Sequence, residues 1–207
     1  GLLGLYLLTC AYAAIGLFMS SITSYQVVAA MGTLAVLAVL NFIGDVGQDI
    51  SFVRDITYWL SISGRAYQFL GGMICSEDVL YFIIVISLFI ILSIMRLQAA
   101  RKKRSKAVTF ARYFAVIACA LIIGYVSSLP TSKFYYDATA LKKNTLTPGS
   151  QEVVKNLDGG LTITTYMNIL DANYGSALPS QLKEDFSRFE QYVRFKPEIK
   201  MKYVYYY

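Results

Sequence analysis

The sequence predicts a membrane all-α helical bundle, with four transmembrane helices and external interfacial helices, followed by a partial α/β extracytoplasmic domain. Three observations carry this reading. The chain of 207 residues is 56% hydrophobic and only 15% charged, with a mean hydropathy of +0.50, which is too apolar for an ordinary soluble domain. Four uncharged runs, Leu2–Met19, Val27–Ile43, Val79–Met95 and Tyr113–Leu129, each hold 17 or 18 residues, the lower end of what crosses a hydrocarbon core of about 30 Å. The connection between the last two runs holds seven basic residues and no acid.

That connection fixes the topology. Arg101, Lys102, Lys103, Arg104 and Lys106 form its centre, with Arg96 and Arg112 at its flanks, and such a bias retains a short loop in the cytoplasm. The third run therefore enters from outside, the second exits to the outside, and the first begins outside. The first two runs are joined by seven residues, 20–26, short enough to force an antiparallel hairpin. Elsewhere acids and bases nearly balance, so the partner of the basic cluster is membrane lipid rather than nucleic acid.

The external segment 44–78 carries five acids, Asp45, Asp49, Asp55, Glu77 and Asp78, against two bases, Arg54 and Arg65. Phe52, Ile56, Tyr58, Trp59, Leu60, Tyr67, Phe69 and Leu70 are interleaved with polar residues, a pattern that favours the headgroup layer. Short interfacial or re-entrant helices are expected, broken at Gly64 and at Gly71-Gly72. Tyr58, Trp59, Phe69, Gly71 and Gly72 are the candidate outer-gate or interfacial residues.

Pro130 ends the fourth helix, and the composition becomes that of a soluble domain. Thr147-Pro148 pairs an N-cap with a proline at the first helical position, predicting a helix to about Leu157 that stops at Asp158-Gly159-Gly160. Leu161–Met167 alternates and is β-branched, as a strand does. A helix over about Pro179 to Phe195 places Leu182, Phe186, Phe189 and Val193 on one face. Ile199–Tyr205 alternates again, and strand, helix, strand implies a parallel crossover.

Much chemistry is excluded by what is missing. The sequence has no histidine, which removes imidazole bases, His-based metal sites and Ser-His or Cys-His dyads. Cys10, Cys75 and Cys119 stand far apart, so no metal or cofactor site is expected. No Walker A loop occurs, and Asp158-Gly159-Gly160 follows a helix and precedes a strand, the reverse of a phosphate loop. The apolar runs carry no ionisable Asp, Glu, Lys or Arg, which argues against an ion-coupled transporter. Asn41 and Asp45 read as interfacial anchors, and Ser87 and Ser93 as hydroxyls bonded to their own helix. Cys10, Ala13, Ala14 and Gly16 in the first run, and Ala29, Gly32, Ala35 and Ala38 in the second, suit close helix packing or a dimer face. The fourth run with its basic flank has the form of a retained signal anchor rather than a cleaved signal.

Residues 13–30, Ala13-Ala14-Ile15-Gly16-Leu17-Phe18-Met19-Ser20-Ser21 through Tyr25-Gln26-Val27-Val28-Ala29-Ala30, resemble the fourth-to-fifth helix hairpin of type-2 ABC exporter permeases of the GldF, gliding-motility-associated kind. Phe69-Leu70-Gly71-Gly72-Met73-Ile74 with Asp78-Val79-Leu80-Tyr81-Phe82 resembles the external stretch leading into that family's last helix. Tyr136-Asp137-Ala138-Thr139, Leu146-Thr147-Pro148, Val153–Leu157 and Leu161–Tyr166 are similar to the start of the GldG-type auxiliary domain.

The resemblance implies residues 1–98 as the C-terminal half of a permease domain, 99–112 as a basic cytoplasmic linker, 113–130 as an anchor helix, and 131–207 as the start of a GldG-type domain. The chain starts without Met and stops within a strand, so it is expected to be a piece of a longer protein with three further helices upstream. The implied protein is a plasma-membrane ABC exporter component with a periplasmic domain, not itself an enzyme. Its partners are a separate ABC ATPase subunit and a second permease half, as a homodimer or a pair. The resemblance carries over no catalytic or ligand residue. The alternative is a membrane-anchored surface binding or scaffold protein.

The topology has a direct test. In a chain freed of its own cysteines, a cysteine at Ser150 is expected to react with an impermeant thiol reagent in intact cells and one at Ser105 is not. Labelling at Ser105 would reverse the orientation.

Overall fold

The computed structural model describes residues 1–47, 50–101, 105–128, 133–172, 174–177 and 182–207. The elements in chain order are α1 (Leu2–Ile22), α2 (Gln26–Phe42), α3 (Ser51–Leu60), α4 (Ile62–Leu70), β1 (Met73–Cys75), α5 (Ser76–Arg101), α6 (Lys106–Ser128), β2 (Tyr135–Asp137), α7 (Pro148–Lys155), β3 (Thr162–Asn168), α8 (Leu182–Val193) and β4 (Lys200–Tyr206). Four segments, Leu2–Ile22, Gln26–Asp45, Ser76–Ala99 and Ala107–Ser128, are long and apolar enough to cross a membrane. The chain divides into two compact units, one of residues 1–44 and 60–138, the other of 45–59 and 139–207.

In the first unit α1 lies along α5, α2 beside α1, and α6 beside α5. The α1–α5 contact is made by small residues facing large ones. Ala11, Ala14 and Ile15 are buried on α1, and Tyr81, Phe82, Val85, Leu92 and Met95 on α5, a stripe at helical spacing. Phe18 and Phe89 close it with ring centroids 5.6 Å apart. Hydroxyls within the apolar helices turn back on their own backbone: Thr33 Oγ1 donates to the Ala29 carbonyl at 2.8 Å and Ser93 Oγ to that of Phe89 at 2.7 Å. This satisfies them without water, as a hydrocarbon setting demands. No residue of α2 is buried, and on α6 only Gly124 and Ser127 are buried among the described side chains.

Several boundaries depart from the hydropathy reading. α5 has 26 residues, about 39 Å at helical rise, and runs past the apolar stretch through Arg96 to Arg101. α6 begins at Lys106 rather than Tyr113, so the described residues of the linker, 99–101 and 106–112, are helical and Ser105 is not. Arg, Lys, Gln and Ala are good helix formers, and hydropathy alone does not register them. The expected break at Gly64 is not there. α4 continues through it, and the interruption falls at Ser61. Ile62, Arg65 and Phe69, at i, i+3 and i+7, are all buried, and that packing outweighs the roughly 1 kcal/mol that a mid-helix glycine costs. The turn at Gly71-Gly72 is present, with Gly72 at φ 83°.

The second unit is built on a parallel β3–β4 pair in register from Thr162↔Lys200 to Asn168↔Tyr206. Thr147 caps α7, its Oγ1 accepting from Ser150 N at 3.4 Å, with Pro148 at the first position. α7 ends at Lys155, and Gly159 takes φ 80° in the following turn. Arg194 Nη1 donates to the Asn144 carbonyl at 2.9 Å, and Tyr203 Oη to Asp185 Oδ2 at 2.7 Å. The expected start of α8 at Pro179, and Pro130 at the end of α6, lie outside the described residues.

Gly4 marks a close approach. A Cβ there would overlap Cβ and Cγ of Phe69, and the Cβ, whose place is set by the α4 backbone, cannot swing aside. Gly4→Ala is expected to destabilise the protein by about 1–3 kcal/mol through overpacking. Gly149→Ala, which meets open space, should be neutral or stabilising by about 1 kcal/mol or less. Thermal melts followed by circular dichroism compare the two.

Candidate functional site: the charged junction between α4, α5 and the β1–β2 pair

β1 and β2 flank the α5–α6 hairpin in sequence and pair with each other. The pairing is antiparallel, with Met73↔Asp137, Ile74↔Tyr136 and Cys75↔Tyr135. Two further bonds lengthen it, Ser76 N donating to the Phe134 carbonyl and Ala138 N to the Gly72 carbonyl, each at 2.9 Å. Ser76 Oγ also accepts from Phe134 N at 2.9 Å. The start of α5 and the chain leaving α6 are thereby clamped at the end of the hairpin away from the basic connection.

Arg65 of α4 reaches into this clamp. Its Nη1 donates to Asp78 Oδ1 at 2.8 Å and its Nη2 to Glu77 Oε1 at 3.0 Å. Arg65 is 2% exposed and the two acids are also buried. Lys133, from the segment after α6, sits 2.7 Å from the other Glu77 oxygen, Oε2. The guanidinium carbon lies 4.7 Å from the centre of the Tyr81 ring, a cation–π distance. Tyr81 Oη in turn donates to the Leu60 carbonyl at 2.7 Å.

The sequence explains why the acids are tolerated here. Glu77 and Asp78 occupy the first turn of α5, where unpaired backbone N–H groups favour negative charge, and arginine's planar fork can engage both at once. Asp137 on β2 is also buried at this junction. Cys75, 3% exposed, ends β1. Burial pushes its thiol from 9.0 up to about 11, reinforced by the charge of Asp78 and opposed by the N–H groups of Glu77 and Asp78. It therefore remains a protonated, unreactive thiol at neutral pH.

The residues singled out from sequence are distributed as follows. Phe69 is buried in α4, 6.0 Å from Phe82 between ring centroids. Gly71 and Gly72 form the turn into β1. Trp59 lies on α3 in the second unit. Tyr58 is on α3 as well, but its side chain lies outside the described residues. Arg101 is exposed at the last residue of α5 and Lys106 opens α6, while Lys102, Lys103 and Arg104 lie outside the described residues. Sequence reasoning counted Arg65, Glu77 and Asp78 only as loop charge and missed their pairing with one another and with Lys133. The signal available was adjacent acids immediately before an apolar helix.

Among the described residues no cluster of metal-ligating side chains occurs. No family model, curated protein or solved structure matches the chain.

Removing Arg65 would leave two buried carboxylates without their shared cation. Arg65→Ala is expected to lose about 3–5 kcal/mol and to speed native-state alkylation of Cys75 at pH 8. Arg188→Ala breaks a surface contact of 3.7 Å with Asp185 and should cost about 1 kcal/mol or less. Melting curves and Cys75 labelling rates, in a background lacking Cys10 and Cys119, provide the measurement. Equal effects of the two substitutions would contradict a structural junction.

Proposed function

We propose that the chain is a membrane-spanning permease component of an ABC-type exporter, with a fused auxiliary domain outside the membrane and a separate ATPase subunit driving it. The observation that supports this reading is the Arg65–Glu77–Asp78–Lys133 junction. It is a buried charge network binding α4, the first turn of α5 and the chain after α6 in one place. Networks of this kind hold packed elements in one of a small number of arrangements, which suits a part that opens and closes.

The basic α5–α6 connection then lies in the cytoplasm and the junction faces the opposite side, where α4, with the turn at Gly71-Gly72, forms part of the outer gate. ATP binding and hydrolysis on the partner subunit would shift the helices, and the auxiliary α/β unit would act on cargo beyond the membrane. The similarity to GldF-type permeases and GldG-type auxiliary domains belongs to the same proposal, as does the inner-membrane location.

A membrane-anchored scaffold without transport activity is the competing reading, and one experiment separates the two. The tagged full-length protein, solubilised from its native membranes, is expected to recover an ABC ATPase, identified by mass spectrometry, together with vanadate-sensitive ATP hydrolysis. Recovery of envelope proteins or polysaccharide with no ATPase and no hydrolysis would overturn the transport reading in favour of the scaffold.

A further inference from the structure

At the end of the α5–α6 hairpin remote from the charged junction, a cleft of about 270 Å³ lies between the two helices, with Gln98, Arg101, Thr109 and Arg112 in its lining. A second hollow of about 380 Å³ shares Gln98 and Arg112 with it and continues along Ile91, Ile94, Ala115 and Val116. One end of this continuous groove is thus cationic and the other apolar.

Charge and length both bear on what fills it. The sequence has no acid between Asp78 and Asp137, and among the described residues neither Arg101 nor Arg112 has an acidic partner. Guanidinium groups so placed match a phosphodiester, which they can engage through paired N–H donors. From Ile91 to Arg101 the helix rises about 15 Å, the depth of one leaflet of a hydrocarbon core of about 30 Å. A free phosphate or a nucleic acid would use the arginines and leave the apolar groove unfilled, whereas a phospholipid uses both.

We propose that this groove binds one anionic phospholipid, with its phosphate between Arg101 and Arg112 and one acyl chain lying along Ile91, Ile94, Ala115 and Val116. The site is separate from the Arg65 junction and does not depend on the transport reading. It confers a lipid preference on the α5–α6 hairpin, beyond the general attraction of a basic loop for an anionic surface.

Native mass spectrometry of the full chain, loaded from mixed micelles of phosphatidylglycerol and phosphatidylcholine, tests it. One phosphatidylglycerol is expected to be retained in preference to phosphatidylcholine. Arg101→Gln and Arg112→Gln should each weaken retention about fivefold, while Arg112→Lys keeps most of it. Arg96→Gln makes the same charge change outside the groove and should leave retention unaltered. Ala115→Phe changes no charge and should weaken it by filling the groove. Melting curves in phosphatidylcholine identify any variant that fails to fold, and for such a variant Val116→Phe replaces the groove substitution. Equal retention of phosphatidylcholine, equal loss with Arg96→Gln, indifference to both groove substitutions, displacement by millimolar inorganic phosphate, or a dimer in place of the lipid adduct would each overturn the proposal.

Discussion

A guanidinium withdrawn from water must be matched by charge and hydrogen bonds close at hand, and the first unit is arranged around how Arg65 meets that demand. Its two carboxylate partners are consecutive residues in the first turn of α5, so α4 can dock only where both are in reach. Tyr81, one helical turn further on, offers its ring to the same cation and its hydroxyl to the end of α3 at Leu60. Lys133 takes the remaining oxygen of Glu77 and brings the chain after α6 to the same place. Such a network adds little net stability compared with well-packed apolar residues. Its effect is on geometry, because a half-formed version leaves a buried charge and is strongly disfavoured.

The helices divide their tasks accordingly. α1 and α5 form the packed centre, with small residues on one meeting aromatic and branched residues on the other. Ala11 and Ala14 are buried on α1, whereas no residue of α2 is buried. α2 and α6 present most of their apolar side chains outward. In water that would be an aggregation hazard, but it is the expected state of helices whose outer faces meet lipid. The two ends of the α5–α6 hairpin are chemically opposite, one closed by a strand pair and a balanced ion network, the other open, cationic and without acids.

How far the sequence could be read depended on the range of the interactions involved. The four apolar runs, the N-cap at Thr147, the turn at Gly159 and the strand-helix-strand order around β3 and β4 are local, and each is visible in a window of a few residues. The packing of Ala14 was legible as part of a small-residue stripe, but Ala13 in the same stripe is exposed, because a heptad-like list does not say which side of a helix has a neighbour. Gly64 shows the same limit: helix propensity suggested a break, and the burial of Ile62, Arg65 and Phe69 removed it.

The sequence by itself determined that four helices can enter a membrane, that a basic connection joins the last two, and that a polar segment with a parallel crossover follows. These are consequences of hydropathy, charge count and residue periodicity, which act along the chain. Only the tertiary structure decided that Met73–Cys75 and Tyr135–Asp137 pair across the whole α5–α6 hairpin, and that Arg65 finds Glu77 and Asp78. Short strands and single charges have no periodic signature. Their partners are chosen when a long hairpin brings remote residues together and burial makes an unmatched charge or backbone group costly.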